Sequence, residues 1–184
     1  MKFCRNAFSM RFKIRNHTRF ASSLIDKRFA PECFDEKTIV VEPNFLKLEE
    51  GNVVMEEISQ LMRRRRYEKG HWDSVISNYK EIEYRGSEKT ENIIRRVRKY
   101  LETSYFEGKQ VDWLPTHAID LKSDGVLSAH VDSIKFSGEV VAGVSLESSA
   151  IMRLKPSRED DDSKVSLNNG YVDMLLPPLS LYGE

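Results

Sequence analysis

Apolar positions divide the chain into a helical stretch followed by a sheet-like one. From Glu49 to about Tyr67, Val54, Ile58, Leu61 and Met62 recur at helical spacing and predict a helix. Glu49, Glu50, Glu56 and Glu57 precede Arg63 to Arg66, the order that complements a helix dipole. Ser87, followed by Glu91, Ile93, Ile94, Val97, Tyr100 and Leu101, predicts a second helix, capped and amphipathic. Upstream, Thr38 to Val41 is a β-branched run ended by Pro43, which reads as a lead-in strand because proline cannot donate to a central ladder. After Val111 the pattern shortens to "THAIDL", "AHVDSIKF", "EVVAGVSLES", "AIMRL", "YVDMLL" and "LSLY", with an acidic loop "PSREDDDSKVSLNNG" between two of them. Short strands with no helices between them predict an antiparallel barrel or jelly roll. The expected fold class is α+β, helices first and sheet second, with no internal repeat.

Composition narrows the function classes. The 184 residues suit one domain, expected over 36–184, plus a leader. Lysine and arginine total 29 and aspartate and glutamate total 29, so any nucleic acid or anionic lipid would have to be met by a local patch. No apolar run approaches the roughly 18 residues of a membrane span, and none is expected. Cys4 and Cys33 are the only cysteines, which excludes a disulfide framework and a cysteine zinc site. Residues 1–28 read as a mitochondrial targeting leader. Lys2, Arg5, Arg11, Lys13, Arg15 and Arg19 are interleaved with Phe3, Phe8, Phe12, Ile14 and Phe20, and no acid precedes Asp26. Cleavage is expected between residues 20 and 30. A secretory signal would need an unbroken apolar core, which is absent. The alternative for this stretch is a basic arm that touches acidic partners.

The candidate chemistry centres on "SAHVDSIKFSG", residues 128–138, where His130 and Asp132 stand two apart in a run that reads as sheet. On a strand such residues share a face roughly 6–7 Å apart, so both could reach one metal. Oxygenases bind iron(II) with two histidines and one carboxylate on one triangular face, and the spacing fits that arrangement. Two polar side chains on an ordinary strand fit it equally. "HWD", His71 to Asp73, reads as a packed, hydrogen-bonded surface histidine rather than a ligand pair. Arg63 to Arg66 read as a solvated helix end; an RNA-binding surface made with Arg95 to Lys99 is the alternative.

Three longer stretches carry a resemblance: "RRRRYEKGHWDSVISNYKEIE", "WLPTHAIDLKSDGVLSAHVDSIKFSGEVVAGVSLESSAIMRL" and "DMLLPPLSLY". Together, over roughly residues 43–182, they resemble the AlkB family of Fe(II)/2-oxoglutarate dioxygenases. The resemblance implies N-terminal helices packed on an antiparallel double-stranded β-helix, a jelly roll. It implies Fe(II) as cofactor and 2-oxoglutarate as co-substrate, with His130 and Asp132 as the first two iron ligands. It places Tyr182 against 2-oxoglutarate, and His117 where relatives carry an asparagine near the co-substrate. From the residues alone, Tyr182 is equally a sheet tyrosine and His117 a satisfied core histidine. The mitochondrial branch of the family further implies a matrix location and a role in programmed necrosis and fatty acid metabolism. Its substrate would be a protein or small molecule, with mitochondrial RNA as a further candidate.

The same resemblance implies a second histidine and a carboxylate-binding arginine after the "SLY" strand, whereas this sequence ends at "SLYGE". Arg153 and Arg158 come too early to match that arginine. The expectation is therefore two iron ligands of three, a chain inactive as it stands, and an incomplete sheet in which Leu179 to Tyr182 form an unpaired edge. A non-catalytic protein-interaction module is the alternative function.

Overall fold

The computed structural model describes residues 24–32, 34–71, 74–130, 140–155 and 170–184. Its strands are β1 (Ile25–Asp26), β2 (Val40–Glu42), β3 (Ile76–Glu83), β4 (His117–Leu127), β5 (Ala142–Ser145), β6 (Ala150–Leu154), β7 (Val172–Leu176) and β8 (Ser180–Gly183). The helices are α1 (Leu48–Met62) and α2 (Glu91–Tyr105), with a one-turn 3-10 helix over Glu36–Thr38 before β2. Among the described residues all the strand pairs are antiparallel and form three sheets, ordered β1-β7-β6, β2-β8-β5 and β3-β4. The α+β class is as expected.

The two three-stranded sheets face each other. Ile25 from β1, Val41 from β2 and Val172, Met174 and Leu176 from β7 are buried together, with Met152 and Leu154 of β6 and Tyr182 of β8 packed against them. Alternation along β8 sends Tyr182 into this layer and Leu181 to the opposite face, where Leu181 is fully buried with Leu101 and Tyr105 of α2. Helix α2 thus covers the outside of the β2-β8-β5 sheet. Its Tyr100 hydroxyl donates to Glu42 of β2 at 2.5 Å, and burial together with that carboxylate pushes the phenol pKa up.

Helix α1 buries Gly51, Val54, Ile58 and Met62, one face at helical spacing, against Leu46, Ile82, Tyr84 and Ile93. Glu49 and Glu50 sit in its first turn, and the Lys47 backbone N–H donates to Glu50 at 2.9 Å, which satisfies a donor at the helix start. Gly51 leaves room for the tip of the Leu179 side chain, which a Cβ there would have to push aside. The helix stops at Met62, and the Arg63 N–H donates to the Gln60 carbonyl three residues back at a long 3.4 Å. The predicted run to Tyr67 is therefore too long, and Arg63 to Arg66 follow the helix end instead of forming its last turn.

Three further expectations change. The sheet does not wait for the second half: β1, β2 and β3 precede Glu91, and Ile25 and Val41 pair with Met174 and Tyr182 far along the chain. The segment at Leu179 to Tyr182 is no edge, because β8 is the middle strand of its sheet and pairs with both β2 and β5. The start of the second helix also shifts. Thr90, fully buried, is the residue before α2, and Ser87 opens the preceding turn by accepting the backbone N–H groups of Thr90 and Glu91.

Candidate metal and co-substrate site

Strand β4 carries the chain from His117 to Leu127, and among the described residues it pairs with β3. The pairing slips between Ser77 and Tyr79, where Asn78 adopts a φ of 51° and donates from Nδ2 to the Asp124 carbonyl at 3.4 Å. This bulge lies opposite the Asp124-Gly125 bend. Beyond β4, the Ser128 N–H donates to the Val75 carbonyl at 2.8 Å, which carries the contact with the β3 side one residue past the strand.

His130 lies three residues past the end of β4 rather than within a strand. Its Nδ1 stands 2.8 Å from the Ser128 carbonyl oxygen. A carbonyl can only accept, so Nδ1 carries the proton, and in the neutral ring Nε2 carries the lone pair that a metal uses. Metal-binding histidines are typically oriented by such a bond on the other ring nitrogen. Asp132 lies outside the described residues, as do Trp72 and Asp73 of the "HWD" motif. The His71 N–H donates at 3.1 Å to the carbonyl of Ile76, the first residue of β3.

Tyr182 sits at the centre of the β2-β8-β5 sheet, paired with Val41 on one side and Gly143 on the other. Its ring lies over Gly143, so that a Cβ at 143 would stand 2.5 Å from the hydroxyl oxygen and 2.7 Å from Cζ. Tyr182 therefore brings a phenol to the apolar layer between the two three-stranded sheets, a position consistent with a co-substrate contact and with a packed sheet tyrosine alike.

His117, at the start of β4, is not a core histidine. Its side chain is 49% exposed, and Nδ1 pairs with Glu81 of β3 at 2.5 Å. The structure does not bring His117 and His130 together: they flank opposite ends of β4, whose eleven residues span a contour of roughly 35 Å. Arg153 is held elsewhere, with Nε and Nη2 each 2.7 Å from Asp173 and its guanidinium 3.8 Å from the Tyr171 ring centroid. That ion pair holds the Asp173 carboxyl below its ordinary value. Arg158 lies outside the described residues. Among the described residues no group of three histidine, cysteine, aspartate or glutamate side chains is placed to hold a metal, and no helix is long and apolar enough to cross a membrane.

The structure adds a polar cluster that sequence reasoning missed. One carboxylate oxygen of Glu57 on α1 accepts from the hydroxyls of Tyr84 at 3.1 Å, Ser87 at 3.2 Å and Thr90 at 2.8 Å. It ties α1 to the end of β3 and the start of α2. The only sequence signal was the excess of hydroxyl residues ahead of α2. A groove of about 550 Å³ lies beside it, lined by residues that include Arg85, Arg98, Trp113 and Leu114, and neither His130 nor Tyr182 opens into it.

No profile of a known protein family matches the chain. Two curated proteins do. Over 144 residues the chain is 38% identical to "Alpha-ketoglutarate-dependent dioxygenase alkB homolog 7, mitochondrial" from Bos taurus, and 37% identical to the protein of that name from Mus musculus. Each match covers 78% of this chain and 60% of the relative, so the chain spans about three fifths of the length of these relatives. An identity of this size over most of the described residues, on an α+β scaffold of facing antiparallel sheets, makes the chain similar to AlkB-like proteins over that span.

Proposed function

We propose that the chain serves a mitochondrial Fe(II)/2-oxoglutarate-dependent dioxygenase built on a double-stranded β-helix. The observation that carries this reading is the 38% identity to a relative named as an alpha-ketoglutarate-dependent dioxygenase and as mitochondrial. The local chemistry fits: the Ser128 carbonyl leaves His130 in the tautomer with its lone pair on Nε2. His130 would hold the iron through that atom, and Asp132 would add a carboxylate oxygen. Once bound, iron and 2-oxoglutarate together supply oxidation of a substrate C–H bond. The chain's own share is placement: the bond to Ser128 fixes the imidazole plane, and Tyr182 offers a hydroxyl donor to a co-substrate carboxylate from within an apolar layer that excludes water. His117 is assigned to its pair with Glu81 instead of the co-substrate, because it stands at the far end of β4 from His130.

The matrix is the proposed location, and a protein or small molecule the proposed substrate. Regulation of programmed necrosis and of fatty acid metabolism is the proposed role. The test is anaerobic equilibrium dialysis of Fe(II) against the chain, followed by titration with 2-oxoglutarate and a search for the charge-transfer band of the ternary complex. His130→Ala and Asp132→Ala are each expected to weaken iron binding at least about tenfold. Iron binding that neither substitution alters would rule the reading out, and a folded chain that takes no iron would favour the interaction-module alternative.

A further inference from the structure

The far end of α1 concentrates positive charge that no described residue neutralises. Arg63, Arg64, Arg65 and Arg66 follow Met62 directly, all four are exposed, and their side chains form no ion pair with any described residue. Most described arginines elsewhere behave differently: Arg28, Arg85, Arg95, Arg96 and Arg153 each have a carboxylate within 4 Å, and Arg98 donates to the Thr116 hydroxyl. Beside the run, Leu61 is 54% exposed, and a depression of about 430 Å³ is lined by Gln60, Leu61, Arg63 and Arg64. Because the whole chain is neutral, any attraction to an anionic partner must come from such a patch.

We propose that this end of α1 is a peripheral membrane contact, where the guanidinium groups meet anionic phospholipid headgroups and Leu61 enters the interface. Four or more clustered cations at an amphipathic helix are the usual requirement for holding an anionic leaflet, and an adjacent exposed aliphatic side chain supplies the apolar part of such contacts. Glu49 and Glu50 lie in the opposite turn of the 15-residue helix, about 20 Å away, while Glu56 and Glu57, about 10 Å back along the axis, accept from the Gln60 amide and from the Tyr84, Ser87 and Thr90 hydroxyls, so the helix meets the surface end-on with its cations foremost. A single-stranded RNA surface would instead need open aromatic faces among the cations. Tyr67, the neighbouring aromatic among the described residues, is already committed: its hydroxyl donates to Asp120 at 2.8 Å, and the Lys80 ammonium sits 4.3 Å from its ring centroid.

The test is co-sedimentation of the full 184-residue chain with phosphatidylcholine vesicles, with and without phosphatidylserine. The basic residues before Leu24 are kept in every variant, so that differences report the patch alone. Replacing Arg63 to Arg66 together by glutamine is expected to lower partitioning onto phosphatidylserine vesicles at least about tenfold. Leu61→Ser is expected to lower it severalfold. The four arginines and Leu61 are exposed, so neither variant should shift the melting temperature, and added salt should weaken wild-type binding. Unchanged partitioning of the four-arginine variant overturns the proposal. So does a result in which the arginines are needed to bind a homopolymeric RNA while Leu61→Ser leaves vesicle binding intact.

Discussion

The Tyr182 ring lies across the face of Gly143 on the adjacent strand, close enough that no other residue type at 143 leaves the ring where it is. Glycine is needed here for the close approach of a side chain, not for an unusual backbone angle. Gly143→Ala is expected to displace the ring and destabilise the fold by about 1–3 kcal/mol, the usual cost of overpacking. Tyr182→Leu should cost little further in the Gly143→Ala background, so a double-mutant cycle in urea should show strong coupling between the two positions. Additive effects would mean that the ring does not rest on Gly143.

Glu57 is expected to matter more for stability than an ordinary helix glutamate. Three hydroxyl donors converge on one of its oxygens, and Thr90 among them is fully buried. Glu57→Ala strands those donors and should cost about 1–3 kcal/mol. Thr90→Val, which removes one donor and also the acceptor for the Ser87 N–H, should give a loss of similar size. Urea denaturation of the two single variants and the double variant reads the coupling. Loss of less than about 0.5 kcal/mol for Glu57→Ala would show the cluster to be energetically idle.

Much of the helical part was legible because its signal is local. Ile93 and Leu101 lie on the buried face of α2 as their spacing requires, and the acid-to-base order of α1 marks its start correctly. The strands were harder where their partners are remote. Ile25 and Val41 read as isolated apolar residues until Met174 and Tyr182 arrive to pair with them. Strand β3 escaped notice because it belongs to a two-stranded ribbon and is broken by the Asn78 bulge, so "ISNYKEIE" shows no clean alternation. The histidine of the candidate site was found by its spacing to Asp132. Its position beyond β4 depends on where the β3 pairing ends, and no residue near His130 encodes that.

The first described residues bear on the expected leader. Leu24 accepts a backbone bond from the Leu175 N–H at 2.8 Å, and Ile25 is buried against β7. Removal of a targeting segment through Asp26 would delete β1 and expose the edge of β7. The mature N-terminus, mapped by mass spectrometry of protein recovered from mitochondria, is therefore expected before Leu24. A chain trimmed to begin at Lys27 should unfold at a lower temperature than one beginning at Ser22. Equal melting temperatures would show that β1 contributes nothing.

The Glu50–Arg96 pair predicts how the fold responds to acid. Arg96 places its two terminal nitrogens at 2.5 and 2.8 Å from the Glu50 carboxylate, and the Lys47 N–H adds a third donor at 2.9 Å. These donors, the guanidinium first, hold the Glu50 carboxyl at about 2, down from 4.5. A carboxyl with a lower pKa in the folded state than in the unfolded one stabilises the fold at pH above its unfolded value, and this contribution disappears as pH falls toward the folded value. Stability from this pair is thus complete at neutral pH and is lost between about 4.5 and 2. Arg96→Gln removes the main cause, so its stability deficit should be largest at neutral pH and should close as the wild type is acidified through that window. Melting temperatures of both proteins across pH 2 to 7 give the comparison, with Lys89→Gln, an exposed lysine that makes no ion pair with any described residue, as the control for a simple loss of charge. A deficit that stays constant over the whole range would mean that Arg96 acts through its packing over the Phe45 ring, 5.4 Å from the guanidinium, and not through the carboxylate.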